Sequence, residues 1–376
     1  MADRYRILEF WRIAAAVLVM IFHFLNYGPP SAVHATELLL NLLPLMDMFF
    51  MISGFLIMER YCDRLLVKKG SYGRFLLRRI ARFYPLYFAT LSVFVLLAVA
   101  VHFGVYQTSS PERYAFSALP ANLLLIQGWG FTDVLTFNYV GWTLSAEWFC
   151  YLALPVIVIA YRFGGIAGLL LLIAATCLAL ETATAAGVMP FERWFLADTW
   201  GAFRAFADFA IGAAVAMAAR RYGREIKSHL PAWLCFAASL IAMAWISASY
   251  LVLGLLAASI FLAAVAEANN PAGARFLRVF DPLGRVSFSI YLIHPVVAAL
   301  VLGGVWRILL EPTGAISFYV FWFVPMLMVL MLSLASFHWF ETPAANWMNN
   351  TFGQSDTRTR RAKKAAGTAR LEVESR

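Results

Sequence analysis

The feature that most constrains this chain is a series of apolar segments about 20 residues long, each able to cross the ~30 Å core of a bilayer as a helix. The residues are 62% hydrophobic and 14% charged, whereas about 25% of a soluble domain is charged. The sequence therefore predicts an all-α, polytopic integral membrane protein and excludes a water-soluble fold. About ten spans are predicted, near 9–28, 37–58, 83–104, 140–161, 164–187, 200–219, 232–249, 251–267, 285–304 and 317–340.

The basic residues predict the topology. If the N-terminus is cytoplasmic, most of the 30 basic residues fall in inner segments, and only Arg113, Arg193 and Arg307 fall in outer ones. The positive-inside rule therefore predicts that both termini are cytoplasmic. The same distribution accounts for the net charge of +9 without a nucleic-acid partner. We expect a transmembrane domain over 1–345 and a disordered, basic cytoplasmic tail over 346–376, which can contact anionic lipid.

Ionisable residues inside spans are costly unless they are paired or face a wet cavity, so each is a candidate functional group. Arg12 and His23 are eleven residues apart, which is about three turns and ~16 Å along one helix face. Counted from the nearest inner arginine, His23, Asp47 and His294 fall near the middle of the bilayer, and Glu147 falls nearer the outer face. We therefore expect these residues to surround one cavity, which Glu147 closes from the outer side.

A histidine with a carboxylate in reach is the usual general base, because the carboxylate fixes the imidazole tautomer and stabilises its cation. We assign this role to His23, with Asp47 or Glu147 as its partner. The structural alternative for His23 is a hydrogen bond to a neighbouring helix backbone. For the two carboxylates, the alternative is to neutralise Arg12 or Arg204.

Four further features of the apolar segments are informative. His294 either faces the cavity or only satisfies a helix kinked at the proline that follows it. Arg204 and Asp208 are four residues apart on one span and are expected to neutralise each other. Gly54 allows a close helix contact, and Ser53 can hydrogen-bond across it. A short run over 119–126 is expected to form a re-entrant or surface helix.

A row of arginines follows the second predicted span. Arg74, Arg78 and Arg82 repeat at four residues and share a helix face, with Arg79 beside them. Guanidinium groups bind phosphate oxygens in pairs, so the row suits an anion with several phosphates. Positive-inside bias alone would also put basic residues here.

Taken in order, these motifs resemble those of the acyltransferase family 3 of bacterial membrane proteins, which O-acylate surface carbohydrates. The matching pieces span residues 6–345, and they are Arg12-x10-His23, Asp47 to Phe55, Arg79-x-x-Arg82, Gly141 to Glu147, Arg204 to Gly212, Tyr291 to His294 and Glu341-Thr342-Pro343. The usual Trp-Ser-Leu of the family reads Trp142-Thr143-Leu144 here, which keeps a hydroxyl.

The resemblance implies a role for each matched residue. His23 would be the catalytic histidine supported by Arg12, and Arg79 and Arg82 would hold the coenzyme A phosphates. The residues lining the acceptor side would be Trp142, Glu147, Tyr291 and His294. The residue-based interpretation adds Arg12, Arg74, Arg78 and Ser53 to the donor side and assigns Asp47 or Glu147 to stabilise the His23 cation.

The implied donor is acetyl-CoA or another short acyl-CoA on the cytoplasmic side, with succinyl as the main alternative to acetyl. The implied acceptor is a hydroxyl of an extracytoplasmic glycan or lipid-linked saccharide, and the implied location is the bacterial cytoplasmic (inner) membrane. No metal is expected. Many family members carry an additional extracytoplasmic hydrolase-like domain, so any second transfer step is expected to require a separate extracytoplasmic transferase.

Two other functions fit the same intramembrane charges. A transporter or lipid flippase would use them as a proton relay, and a membrane scaffold would use them only for packing. Within the enzymatic interpretation, His23 either deprotonates the acceptor for direct attack or accepts the acyl group itself, and the residues alone do not separate these routes.

Overall fold

A computed structural model describes residues 5–67, 71–223, 225–246 and 248–353, which form helices and loops without a β-strand. The α-helices, numbered in chain order, are α1 Arg6–Leu25, α2 Val33–Asn41, α3 Leu45–Val67, α4 Ser71–His102, α5 Leu119–Leu123, α6 Gly141–Ala185, α7 Gly201–Tyr222, α8 Leu230–Ile241, α9 Ser249–Asn269, α10 Asp281–Val297, α11 Phe318–Phe321, α12 Phe323–Ser336 and α13 Thr342–Gly353. Wider π-helical turns extend α8, α10 and α12, over Ala242–Ile246, Ala298–Leu310 and Phe337–Glu341 respectively. The all-α fold is as predicted.

Eight helical segments of the described chain are long and apolar enough to cross a membrane. The longest of them, α6, is divided at Gly165, whose φ of 58° is not helical. On either side of this turn the backbones of Ala160 and Gly168 lie so close that a side chain at Gly168 would overlap the Ala160 carbonyl. A shorter apolar helix covers Leu230–Ile246. The expected number of about ten crossings includes both halves of α6 and this shorter helix, and it stays a prediction.

Helix α1 begins against a carboxylate from another helix. The buried Glu267 of α9 accepts hydrogen bonds from the backbone N–H groups of Arg6, at 2.7 Å, and Ile7, at 3.2 Å. A helix start leaves such N–H groups without partners, and negative charge is favourable there. Glu267 therefore fixes the N-terminal end of the helix that carries Arg12 and His23. The end of the bundle where α1 begins is called the inner end below, after the predicted topology, and the opposite end is called the outer end.

Helices α3 and α7 cross at two glycines. A Cβ at Gly54 would overlap the backbone of Phe209, and a Cβ at Gly212 would overlap the backbone of Met51. Small residues let helix backbones approach closely in a membrane, as expected for Gly54. The crossing brings Asp47 on α3 next to Arg204 on α7.

The loop between α4 and α6 is folded into the outer part of the bundle. It contains α5 and several buried polar side chains, among them Asn122, Gln127 and Asn138. The amide of Asn122 donates to Thr136 Oγ1 at 2.8 Å, and Gln127 donates to the Tyr87 hydroxyl at 3.1 Å. These hydrogen bonds offset the cost of burying amides. Because the loop occupies the outer end of the bundle, α6 begins below it.

The last helices form one continuous helical segment from α12 through the π-helical turn to α13, which ends at Gly353. The helix therefore runs past the predicted domain boundary at 345, and residues 346–353 are helical rather than disordered. The remainder of the predicted tail, 354–376, lies outside the described residues.

Candidate functional site

Two histidines from different helices meet in the bundle. His23 Nδ1 lies 2.9 Å from His294 Nε2, and the two rings are nearly parallel with their centroids 5.1 Å apart. His23 is in the last turns of α1 and His294 is in α10, helices that pack side by side. His294 is completely buried, whereas His23 is only half-buried.

The hydrogen bonds assign the tautomers of the two neutral rings. His294 Nδ1 lies 3.2 Å from the Ile290 carbonyl oxygen, which can only accept, so this nitrogen carries the proton. His294 Nε2 is then an acceptor, and His23 Nδ1 donates to it. The lone pair of His23 therefore resides on Nε2, the nitrogen that faces away from His294. The predicted carboxylate partner of His23 is thus replaced by a second histidine.

The folded loop before α6 covers His23 from the outer side. The edge of the Tyr139 ring packs on the His23 imidazole, with the centroids 4.8 Å apart. Asn138, the preceding residue, donates to Thr90 Oγ1 and to the Leu292 carbonyl, both at 3.1 Å. These two bonds tie the loop to α4 and α10 and so hold Tyr139 in place.

A narrow cavity, called the central cavity below, lies among α1, α3, α6 and α10. Its volume of about 40 Å³ has room for a few water molecules. Arg12 lines it and stacks on Phe49, with 5.4 Å from the guanidinium carbon to the ring centroid. The buried Nε of Arg12 has no hydrogen-bond partner within the described residues. The other lining residues are Met46, Phe50, Ser53, Thr143, Leu144, Glu147, Phe288, Tyr291 and Leu292.

Arg12 does not mark the inner edge of the membrane, because it lies at this internal cavity and α1 begins six residues earlier, at Arg6. His23, close to the C-terminal end of α1, is therefore nearer the outer end of its helix than the predicted midplane position. Arg12 and His23 stay separated by ~16 Å along α1.

Glu147 lies at the central cavity on the inner side of His23. Its Oε1 accepts hydrogen bonds from Ser53 Oγ, at 2.7 Å, and from the Tyr151 hydroxyl. Arg82, from the inner end of the bundle, is within electrostatic reach of the same carboxylate. Of the four residues expected to surround one cavity, only Glu147 lines the central cavity, whereas His23, Asp47 and His294 do not. The expectation that Glu147 closes the cavity from outside is also wrong, because the folded loop lowers the start of α6 and Tyr139 occupies the outer position.

Asp47 pairs with Arg204. The two carboxylate oxygens of Asp47 accept from Arg204 Nε at 2.7 Å and from Nη2 at 2.9 Å, and both residues are buried. This bidentate pair matches the neutralising alternative for Asp47 and replaces the expected pairing of Arg204 with Asp208. The close α3 and α7 crossing explains the change, since it supplies Arg204 with a carboxylate from the facing helix.

A larger cavity of about 280 Å³, the inner cavity, opens toward the inner ends of α4, α10 and α13. Arg82 and Arg285 line it together with the buried Glu341, which accepts from Ser289 Oγ at 2.7 Å and Ser336 Oγ at 2.8 Å. No ion pair within 4.0 Å joins Glu341 to either arginine in the described chain, although Arg82 is within electrostatic reach of its carboxylate. The other lining residues are Phe288, Phe337, Thr342, Ala345 and Asn346.

The predicted arginine row is divided. Of its members, only Arg82 lines the inner cavity. Arg79 lies over three aromatic rings, at 5.3 Å from Tyr151, 5.4 Å from Phe75 and 6.0 Å from Tyr61. The side chain of Arg78 is exposed, and that of Arg74 is half-buried and engaged in a contact of its own.

The central and inner cavities meet at Phe288, which lines both. Tyr291, one turn further along α10, lines the central cavity and packs its ring against His294, with centroids 5.8 Å apart. Along α10, Phe288 and Tyr291 therefore lie between Arg285, at the inner end of the helix, and His294. Trp142 is not among the cavity residues, since it packs on Phe50 and against Gly201 of α7.

Sequence reasoning missed Tyr139, Arg285 and the role of Glu341. Arg285 and Glu341 carried a readable signal: Arg285 is a basic residue at the start of the span that carries His294, and Glu341 is a charged residue next to an apolar segment. Tyr139 carried none, because it lies in a loop whose position depends on hydrogen bonds to distant helices.

The family model for the acyltransferase domain matches residues 5–319. Acyltransferase MdmB of Streptomyces mycarofaciens is 32% identical over 111 residues, which cover 29% of this chain and 26% of that protein. The alignment thus spans about a quarter of the relative's length, and no solved structure is a significant match. Because the family match covers most of a chain built of apolar helices, this protein belongs to the acyltransferase 3 family and is integral to a membrane.

Proposed function

We propose that this protein transfers a short acyl group, with acetyl the first candidate, from acyl-CoA at the inner side to a hydroxyl of a glycan or lipid-linked saccharide at the outer side of the bacterial inner membrane. The observation that carries the proposal is the half-buried His23 whose Nε2 holds a lone pair while its Nδ1 is bound to His294. A proton acceptor of this kind is what hydroxyl acylation requires.

The arginines support an anionic donor at the inner side. Arg82 and Arg285 line the inner cavity with no ion-pair partner within 4.0 Å in the described chain. The orphaned Nε of Arg12 lies further in, at the central cavity. Guanidinium groups would hold the phosphates of coenzyme A, and Arg12 would donate to a carbonyl of the slender pantetheine arm. The central cavity now has room for only a few water molecules, so it would widen to admit the slender arm, and the nucleotide would stay at the inner cavity.

The reaction requires one base that also returns the proton. His23 Nε2 removes the proton of the acceptor hydroxyl as the oxygen attacks the thioester carbonyl. The C–O bond forms, the C–S bond breaks, and the same proton passes from His23 to the leaving sulfur. The products are an acyl ester and free coenzyme A. His294 keeps Nε2 of His23 directed at the substrates by accepting from Nδ1 throughout.

The test is release of free coenzyme A by purified protein in nanodiscs, supplied with labelled acetyl-CoA and a panel of saccharide acceptors. Wild type is expected to release coenzyme A and label an acceptor, and His23→Ala is expected to do neither. If the wild type released no coenzyme A with any acceptor of the panel, the result would count against the transfer reaction and favour the transporter alternative.

The donor site has a separate test with a matched control. Arg82→Gln and Arg285→Gln are each expected to raise the KM for acetyl-CoA about tenfold, since each removes a charge-assisted contact to phosphate. Arg278→Gln changes an exposed inner arginine outside both cavities and is the control. An unchanged KM in both cavity variants would contradict the placement of the donor.

The same preparation distinguishes the two chemical routes. Direct transfer predicts that acetyl-CoA alone leaves no label on the protein. An acyl-histidine route predicts a label that depends on His23 and is removed by adding acceptor.

A further inference from the structure

Four tyrosines lie together above His23 at the outer end of the bundle. They are Tyr27, Tyr106, Tyr114 and Tyr139, here called the tyrosine mouth. Tyr139 packs directly on His23, and a Cβ built at Gly303 would lie 3.3 Å from the Tyr106 hydroxyl and 3.7 Å from the Tyr27 ring. Tyr27 and Tyr114 are each within electrostatic reach of Tyr106.

The hydroxyls of the tyrosine mouth are available to a ligand. None of the four makes a hydrogen bond to another protein group within the described residues, and all four side chains are half-buried. Burial raises the pKa of Tyr114 to about 12 and that of Tyr139 well above its ordinary value. The phenols of Tyr114 and Tyr139 therefore stay neutral near physiological pH, with protons to donate.

Two arginines join the tyrosine mouth. The guanidinium carbon of Arg307 lies 5.0 Å from the centroid of the Tyr27 ring, and Arg113 is within electrostatic reach of Tyr27, Tyr139 and His23. Both side chains are exposed, and neither forms an ion pair within 4.0 Å in the described chain. Asp198 is also within electrostatic reach of Arg113, without an ion pair between them.

The placement of these arginines is unusual for a membrane protein. Arginine is depleted from outer segments, and this chain has only Arg113, Arg193 and Arg307 in the outer segments predicted from its sequence. Two of the three converge on Tyr27, although they are almost 200 positions apart. Positive-inside bias opposes such a pair, so a local function for the charge is the better explanation.

The fold holds Arg113 in position. Its carbonyl accepts a hydrogen bond of 2.8 Å from the N–H of Phe137, a residue whose φ of 52° is unusual for a residue with a side chain. The same loop continues into Tyr139, so one backbone contact joins the arginine to the ring on His23. Arg307 is carried by the π-helical turns Ala298–Leu310, and such turns are frequent at functional sites.

Interfacial tyrosines can also be membrane anchors, but anchors face the lipid headgroups. These four side chains instead lie within electrostatic reach of one another, Tyr139 packs on His23, and all four are half-buried. Phenol rings and hydroxyls suit the apolar faces and hydroxyls of a sugar, and two cations without ion-pair partners suit an anion.

We propose that the tyrosine mouth, with Arg113 and Arg307, is the acceptor site and selects saccharides that carry an anionic group beside the hydroxyl to be acylated. This inference rests on the proposed function. A carboxylate and a phosphate would both satisfy the two arginines, so the experiment includes one acceptor of each kind.

The test is equilibrium binding to the full chain in nanodiscs of three probes that share one ring: phenyl β-D-glucoside, phenyl β-D-glucuronide and phenyl β-D-glucoside 6-phosphate. Wild type is expected to bind an anionic probe at least about tenfold more tightly than the glucoside, as charge-assisted contacts would give. Arg113→Gln and Arg307→Gln should each lower this preference several-fold, and high salt should lower it in the wild type. Arg193→Gln, the third outer arginine, is the matched control and should keep the preference.

Any one of three results would overturn the inference. These are equal affinity for the three probes, undetectable binding of both anionic probes, and a preference for the anionic probes that persists in the Arg113→Gln, Arg307→Gln double variant. Coenzyme A release by the same preparation is measured separately. Release that depends on His23 without charge selection would reject the acceptor inference alone, whereas charge-selective binding without release would reject the transfer reaction alone. Circular dichroism and gel filtration of each variant exclude misfolding as the cause of a loss.

Discussion

At the scale of single residues, the chemistry depends on the direction of two hydrogen bonds. The Ile290 carbonyl fixes which nitrogen of His294 carries a proton, and His294 in turn fixes His23. In many enzymes a carboxylate performs this orienting task. A neutral imidazole can do it without adding a charge to the bundle, where an unpaired carboxylate would be costly.

His294 is therefore expected to be a positioning residue. His294→Ala should lower kcat about 100-fold, in the range typical for loss of an orienting group, and leave the KM for acetyl-CoA nearly unchanged. His294→Gln offers an amide oxygen to His23 Nδ1 and should recover part of kcat. Steady-state coenzyme A release measures both. Equal losses in the two variants, with normal folding, would contradict the orienting role.

Asp47 is expected to stabilise the fold through Arg204. Asp47→Asn or Arg204→Gln alone should destabilise the protein by about 3 kcal/mol, because each leaves a buried partner uncompensated. The double variant should recover part of this loss. Thermal unfolding in detergent gives the comparison. An Asp47→Asn protein as stable as the wild type but without activity would instead favour the predicted catalytic role.

At the scale of helices, the site depends on close packing at two places. Glu267 of α9 fixes the start of α1, and the glycine crossing of α3 with α7 brings Asp47 to Arg204. Each contact joins helices that are distant in sequence. The positions of His23 and of the central cavity therefore depend on packing contacts that contain no catalytic group.

The glycine crossing can be tested with an internal control. Gly54→Ala and Gly212→Ala are each expected to destabilise the protein by about 1–3 kcal/mol, because the added methyl group overlaps backbone on the facing helix. Gly254→Ala on α9 has open space around the new methyl group and should raise stability by about 0.5–1 kcal/mol through helix propensity. Thermal unfolding of the three variants is the measurement, and a Gly54→Ala protein as stable as Gly254→Ala would contradict the close crossing.

At the scale of the whole molecule, the two ends of the bundle differ in chemistry. The inner end presents Arg82 and Arg285 around a cavity, and the outer end presents tyrosines over His23. The narrow central cavity lies between them with Arg12 on its wall. Donor and acceptor would then approach one imidazole from opposite sides, so that no polyanion needs to cross the hydrocarbon core.

This asymmetry predicts sided activity in sealed proteoliposomes. Acetyl-CoA added outside the vesicles should support transfer only by the protein molecules whose inner cavity faces outward. Permeabilisation of the vesicles should make acetyl-CoA accessible to the oppositely oriented molecules. Orientation is measured by protease cleavage of a C-terminal tag, since the C-terminus is predicted to share the side of the inner cavity. Equal rates from both sides in intact vesicles would contradict the separate donor and acceptor entrances.

The sequence by itself determined the fold class, because apolar segments of spanning length leave the chain few soluble alternatives. It also identified most of the charged residues at the site, since an ionisable group in a span is costly and therefore conspicuous. Arg12, His23, Glu147 and His294 were found this way, whereas Ser53 was noted beside a close helix contact and Tyr291 came from the family resemblance. Periodicity assigned each of them to a helix, and the close contact at Gly54 followed from its small side chain.

Only the tertiary structure decided how these residues pair. His23 meets His294 rather than a carboxylate, Asp47 meets Arg204, and Glu147 lies on the inner side of His23. Pairing depends on helix rotation and crossing, which are set by contacts between distant segments that one-dimensional spacing does not encode. The loop that carries Tyr139 is the extreme case, because its place in the bundle depends on amide hydrogen bonds to two helices.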